Sequence, residues 1–170
     1  FAFEPCSGQD LHKLWGNMKK NKSKSADPLG ITALMINFCM GSNEFCDNLA
    51  IAFNECIRTG EFPDSLKVSK IVPVPKVNNP VTPNETRPIG IQPVVTKIFD
   101  KFILKQINTY VNENNILCKE QFGFRSKLST THALAALTDS MYSEIDKGKI
   151  CIFVSLDLHK CFDSIDKDIL

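Results

Sequence analysis

The chain has 170 residues, 43% of them hydrophobic and 23% charged, the balance of an ordinary globular protein with enough length for a real core. Its net charge of +1 excludes bulk basicity as a route to a polyanion, so any nucleic-acid surface has to be local. The longest apolar stretch, residues 31–40, is broken by Asn37 and falls well short of the roughly 20 residues of a membrane span.

The seven cysteines include no Cys-x-x-Cys pair and several sit in apolar runs, which points to free buried thiols in a reducing compartment. The three histidines lie far apart and share no ligand spacing. No signal peptide is expected, and an opening at Phe1 with a stop at Leu170 suggests a piece of a longer polypeptide.

In chain order, residues 9–24 read as a short helix followed by a lysine-rich turn (Lys13, Lys19, Lys20, Lys22 and Lys24), either a solvated surface or a phosphate-facing edge. Asp27-Pro28 makes a turn. Ile31, Leu34, Met35 and Phe38 then follow helical spacing. A second helix is expected over 43–59, with Phe45, Leu49, Ala52, Phe53, Cys56 and Ile57 on one face and Gly60 as its stop. Residues 67–74 alternate in part and read as a strand that Pro73 and Pro75 confine to an edge. A polar loop over 76–86 leads to a return strand over 87–91, giving a hairpin with Lys70, Lys76 and Arg87 as its cations.

An amphipathic helix is expected over 94–111, with Lys97, Lys101 and Lys105 stacked along one side at four-residue spacing. That stripe is the solvated face of the helix or a track for a phosphate backbone. Residues 112–128 are irregular, and Phe122 and Phe124 within them are expected to pack as core anchors. Ser129 is a candidate N-cap for a helix through 146, with Leu134, Leu137, Met141 and Ile145 on its apolar face and Gly148 ending it. The run 150–156 then suits a central strand buried on both faces, ending in Asp157, with Phe162 and Asp163 shortly after and a new helix from about 164. A carboxylate at the end of a buried strand needs a partner. On spacing alone Asp157 is either a metal ligand or a helix cap. Helices, a hairpin, long helices and then a buried strand make an α+β order, not a doubly wound sheet.

Five motifs in order carry a resemblance: Val72-Pro-Val-Pro-Lys76; Arg87-Pro-Ile-Gly-Ile91; Lys97; Gln121-Phe-Gly-Phe-Arg125 with Ser129-Thr130; and Leu156-Asp-Leu-His-Lys-Cys-Phe-Asp163. Together they resemble the reverse transcriptase domain of non-LTR (LINE-type, jockey-like) retrotransposons, from about residue 20 to residue 170. The resemblance implies the fingers and partial palm of a right-hand polymerase: 1–66 a helical extension leading into the fingers, 67–149 the fingers, and 150–170 the start of the palm. It implies template-directed deoxynucleotidyl transfer by a two-metal mechanism in the full-length parent.

By that resemblance Asp157 is the first metal-binding, catalytic aspartate, and the backbone carbonyl of Leu158 is a further ligand. The cofactor is Mg²⁺ or Mn²⁺, held only together with palm carboxylates expected beyond residue 170. Lys76, Arg87 and the turn Lys160, Cys161 and Phe162 take the incoming triphosphate, with Phe162 screening the sugar. Lys97, Lys101 and Arg125 take nucleic acid. Asp163 is read as structural.

The implied partners are an RNA template, a DNA primer and deoxynucleoside triphosphates, with no membrane and no stated oligomeric state. The implied location is intracellular, in cytoplasm and nucleus. The chain departs from the family pattern at Cys161, where a small residue is usual, and at Ala26-Asp-Pro-Leu-Gly30, where Gly-x-Asp-Gly is common. Alone, the 170 residues are expected to be inert. A catalytically dead nucleic-acid-binding remnant is the alternative; an RNA-directed RNA polymerase or group II intron-type enzyme is a third reading, against which Phe162 leans.

Overall fold

A computed structural model describes residues 1–18, 25–158, 161, 165, 166 and 169. They form two compact units, Phe1–Ile116 and Leu117–Leu170.

In the first unit, helix α1 (Gly8–Asn17) begins at Ser7, whose hydroxyl accepts from the Asp10 N–H while the Asp10 carboxylate accepts from the Ser7 N–H, a reciprocal capping box. The helix is short, as expected at the start of 9–24; Lys19, Lys20, Lys22 and Lys24, read as a lysine-rich turn, lie outside the described residues. Leu11 and Trp15, four apart, are its buried stripe. Helix α3 (Asn43–Thr59) spans the bounds read from sequence. Its N-cap hydroxyl on Ser42 accepts from the Phe45 N–H, and Gly60 closes it at φ 72°, a left-handed conformation that costs glycine little. The two helices approach so closely that a Cβ on Gly8 would lie 2.9 Å from the Asp47 nitrogen, so only glycine fits there.

Helix α2 (Ala33–Cys39) corrects the sequence reading of its face. Ile36 and Met40 are buried, whereas Leu34 and Met35 are exposed and Phe38 is 87% exposed. The polar contacts explain the rotation. The indole of the buried Trp15 needs an acceptor and donates to Asn37 Oδ1 at 2.8 Å, and His12 Nδ1 lies 2.9 Å from the Met40 carbonyl. These bonds turn positions 36, 37 and 40 toward α1. On α3, similarly, Cys46, Ala50 and Phe53 form the buried line and Ala52 is exposed.

Strands β1 (Lys70–Pro75) and β2 (Thr86–Ile91) pair antiparallel and are the one sheet among the described residues. Helix α4 (Val94–Glu113) follows, with Thr96, Ile98 and Phe102 buried. Its Phe99 ring meets Phe53 edge-on at 4.9 Å and stacks on Phe62 at 5.0 Å. Asp27 ties this helix to the turn before α2. One carboxylate oxygen accepts from Leu29 and Ile31 N–H, and the other accepts from the Val94 N–H at the helix start, at 2.8 Å.

Residues 1–6 cross the unit as a strap held by two side-chain amides. Gln106 bonds both the N–H and the carbonyl of Glu4, and Asn54 does the same for Cys6. All seven cysteines are free thiols. Cys6 and Cys46 are buried, while Cys118 and Cys161 are exposed. Burial pushes the Cys6 thiol up to about 11, which leaves it protonated and unreactive.

The second unit contains a loop, helix α5 (Thr130–Ile145) and an extended run. Ser129 is the N-cap by position, yet its hydroxyl bonds His132 Nδ1 at 2.8 Å and caps no backbone N–H. The helix ends where lysines 147 and 149 both reach the Glu144 carboxylate. The helix read from sequence is present but its apolar face is uncovered, and one expectation is overturned here. No residue of α5 is buried: Leu134, Leu137 and Ile145 are exposed and Met141 is half-buried. The run 150–156, expected as a buried central strand, is neither strand nor buried, with Ile150 at 92% and Leu156 at 91% exposure. A strand exists only through a hydrogen-bonded neighbour, and among the described residues β1 and β2 pair only with each other. Among the described residues, no helix is long and apolar enough to cross a membrane.

Candidate functional site

The hairpin brings together the cations read from sequence. Its register pairs Lys70 with Ile91, Val72 with Ile89, Val74 with Arg87, and Pro73 with Pro88. Because side chains alternate between faces, Lys70, Val72, Val74, Arg87, Ile89 and Ile91 share one face, and the prolines share the other with Ile71 and Gly90. One step beyond β1, the Lys76 N–H donates to the Glu85 carbonyl at 2.7 Å, so the pairing continues to positions 76 and 85. Lys76 and Arg87 are therefore diagonal neighbours on the face that Lys70 shares at its far end. In a regular ladder such neighbours are about 7–8 Å apart.

The tip of this hairpin is a built loop. The Glu85 carboxylate accepts from the Val81 N–H at 2.6 Å and the Thr82 N–H at 3.2 Å, and these bonds hold its pKa below the usual glutamate range. The Lys76 ammonium donates to the Asn84 carbonyl at 3.1 Å. The Arg87 side chain is exposed and forms no ion pair with any described residue. At the base of the hairpin, a cavity of about 270 Å³ is lined by Leu66, Lys67, Gln92, Thr96 and Asp100 among others. Burial there raises the Asp100 pKa, opposed by a hydrogen bond from Gln92.

On α4, Lys97, Lys101 and Lys105 are all exposed, as the spacing predicts. Lys105 differs from the others: it lines a 470 Å³ cavity with Lys13 and Asp10, and the Asp10 carboxylate feels its charge. Lys97 and Lys101 remain as the outward pair.

In the second unit, Arg125 is half-buried, and its Nη1 donates to the carbonyls of Cys118 at 3.0 Å and Gln121 at 3.5 Å. It braces the loop while leaving its other N–H groups available. Phe124 does not pack as expected. It sits in a left-handed backbone conformation at φ 60° and is fully exposed, with no described residue packed over it; Phe122 is half-buried. Asp157, Leu158 and Cys161 are exposed. Lys160, Phe162 and Asp163 lie outside the described residues, as does His159. Among the described residues, no three His, Cys, Asp or Glu side chains gather as a metal site. Asp157 and the Leu158 carbonyl supply hard oxygen donors, the kind that Mg²⁺ takes.

Sequence reasoning missed two residues that organise this region. Asp27, a turn residue by sequence, also joins that turn to α4. Glu85 follows Thr82 by three positions, a spacing that marks a capping box and was open to notice.

Residues 74–170 match the family described as reverse transcriptase (RNA-dependent DNA polymerase). Over 121 residues, 71% of the chain, it is 30% identical to the probable RNA-directed DNA polymerase from transposon BS of Drosophila melanogaster. It is 27% identical over 118 residues to the probable RNA-directed DNA polymerase from transposon X-element, and 26% identical over 118 residues to the RNA-directed DNA polymerase from mobile element jockey, both of Drosophila melanogaster and each over 69% of the chain. In each case the matched stretch is 13% of the relative's length.

Proposed function

The chain belongs to the reverse transcriptase (RNA-dependent DNA polymerase) family, and from that membership we propose that it forms the fingers and the first palm segment of a non-LTR retroelement polymerase. The observation that carries the site reading is the hairpin face, which sets Lys76 and Arg87 as diagonal neighbours. A guanidinium fork and an ammonium at that spacing suit the oxygens of a triphosphate.

In this reading residues 67–149 are the fingers and 150–170 open the palm. Asp157 and the Leu158 carbonyl would hold a divalent cation together with carboxylates from the rest of the polymerase. When bound, divalent cations align the attacking and leaving oxygens and offset the charge that gathers on the reacting phosphate. The primer 3′-hydroxyl oxygen gives up its proton to water and bonds the α-phosphorus, the bond to the bridging oxygen breaks, and pyrophosphate leaves. Arg87 and Lys76 draw the β- and γ-phosphates toward the hairpin. By family membership Lys160, Cys161 and Phe162 are also assigned to the incoming nucleotide, with Phe162 as the residue that selects against a 2′-hydroxyl. Lys97, Lys101 and the remaining N–H groups of Arg125 take template phosphates. The substrates are an RNA template, a DNA primer and deoxynucleoside triphosphates, used inside the cell.

Primer extension by the full-length polymerase carrying Asp157→Asn tests the central assignment. Losing a metal ligand removes several kcal/mol of transition-state stabilisation, so incorporation should fall about a thousandfold. Retained activity would remove Asp157 from the metal site. The 170-residue chain alone should show no Mg²⁺-dependent incorporation, since one carboxylate does not hold two ions.

A further inference from the structure

Between residues 70 and 91 the charged side chains are Lys70, Lys76, Glu85 and Arg87, one acid among three bases. Just past the last strand pair, the Lys76 N–H bonds the carbonyl of Glu85, which ends the turn Pro83–Glu85 two residues before Arg87 of β2. Opposite charges so placed ordinarily pair across the strands. Here they do not. The Glu85 carboxylate folds back onto the Val81 and Thr82 N–H groups, and the Lys76 ammonium goes to the Asn84 carbonyl. Two charge-assisted bonds to backbone N–H outweigh one exposed ion pair, which water screens.

We propose that Glu85 is a positioning residue: by latching the hairpin tip its carboxylate stays off the cationic face, and Lys76 and Arg87 stay available to a nucleoside triphosphate. The proposal rests on the reading of Lys76 and Arg87 as triphosphate contacts. Two effects combine. The latch fixes the loop that returns the chain from β1 to β2, and hence the diagonal spacing of the two cations. It also occupies the one anion in the hairpin that would otherwise neutralise them. These effects separate on substitution. Glu85→Gln keeps an oxygen for the two amides and removes the charge. Glu85→Ala releases the loop without adding a competitor. Glu85→Asp keeps the charge on a side chain one methylene shorter, which cannot span to both amides and falls back on Lys76.

The test is a titration of the 170-residue chain with dTTP, read by the NMR shifts of the Arg87 side chain and of the Val81 and Thr82 amides. Glu85→Gln should bind within about twofold of the unmutated chain, Glu85→Ala about threefold weaker, and Glu85→Asp weakest, by about tenfold. A loop needed only for folding would order the variants by lost stability, with alanine at or below aspartate. A flat series, or equal losses in the alanine and aspartate variants, overturns the inference while dTTP binding itself stands. No saturable dTTP binding by the unmutated chain overturns the triphosphate reading and the inference with it.

Discussion

Helices α3 and α5 are close in length, 17 and 16 residues, and each begins after a serine, yet they meet opposite fates. Helix α3 buries Cys46, Ala50 and Phe53 against α1 and α4, and its serine caps the backbone; α5 buries nothing, and its serine turns to His132. Apolar periodicity reports that a face exists, and burial depends on what the rest of the chain brings to it. In the first unit the aromatic side chains and buried hydrogen bonds make those partners specific. In the second, the described residues leave Leu134, Leu137 and most of the run 150–156 exposed, with only Cys151 of that run half-buried, its thiol on the Met141 carbonyl.

The contrast can be measured because the chain's single tryptophan, Trp15, sits in the first unit's core and its fluorescence follows that unit's unfolding. The largest expected effect is Phe53→Ala. It removes a ring that is 2% exposed and packed edge-on against Phe99, and should cost about 3–5 kcal/mol in urea unfolding. A loss below about 1 kcal/mol would erase the distinction between the two helices. Asp27→Ala comes next. It orphans three backbone N–H groups and should cost about 2–3 kcal/mol, with amide exchange quickened at Val94.

Ser7→Ala, which breaks the α1 capping box, should cost about 1 kcal/mol. That box has a pH signature. The Ser7 hydroxyl, and then its N–H, hold the Asp10 carboxyl below the usual aspartate range. A lowered folded-state pKa gives stability that is fully present above the unfolded value of about 3.9 and is lost as pH falls through the folded value. The difference between wild type and Ser7→Ala should therefore hold at pH 7 and shrink below about pH 4. The smallest effect is expected for Leu134→Ser on α5, within about 0.5 kcal/mol and with no change in the Trp15 transition. A marked shift would mean that the exposed face is covered in solution.

The legible parts of the fold were those with local punctuation. Gly60 marks the end of α3, and the polar loop over 76–86 marks a hairpin whose pairing the structure shows. The rotation of α2 was not legible, because it is set by Trp15 reaching Asn37 across 22 residues of sequence. The exposure of the run 150–156 is not legible for a related reason: a hydrophobic pattern does not supply its own cover. At the candidate site, the sequence puts Lys76 and Arg87 in one hairpin, and their shared face follows only from the register. That Glu85 would bond main chain instead of Lys76 was a competition between two short-range options, and composition does not decide it.

The strap over residues 1–6 has a consequence for tolerance to change. Gln106 and Asn54 grip the main chain of Glu4 and Cys6, groups that nearly every amino acid carries alike. Position 4 should therefore accept almost any side chain but proline, which lacks the N–H. Gln106 and Asn54 should accept few replacements, so the constraint on the strap's path is written in the helices beneath it and hardly at all in the strap.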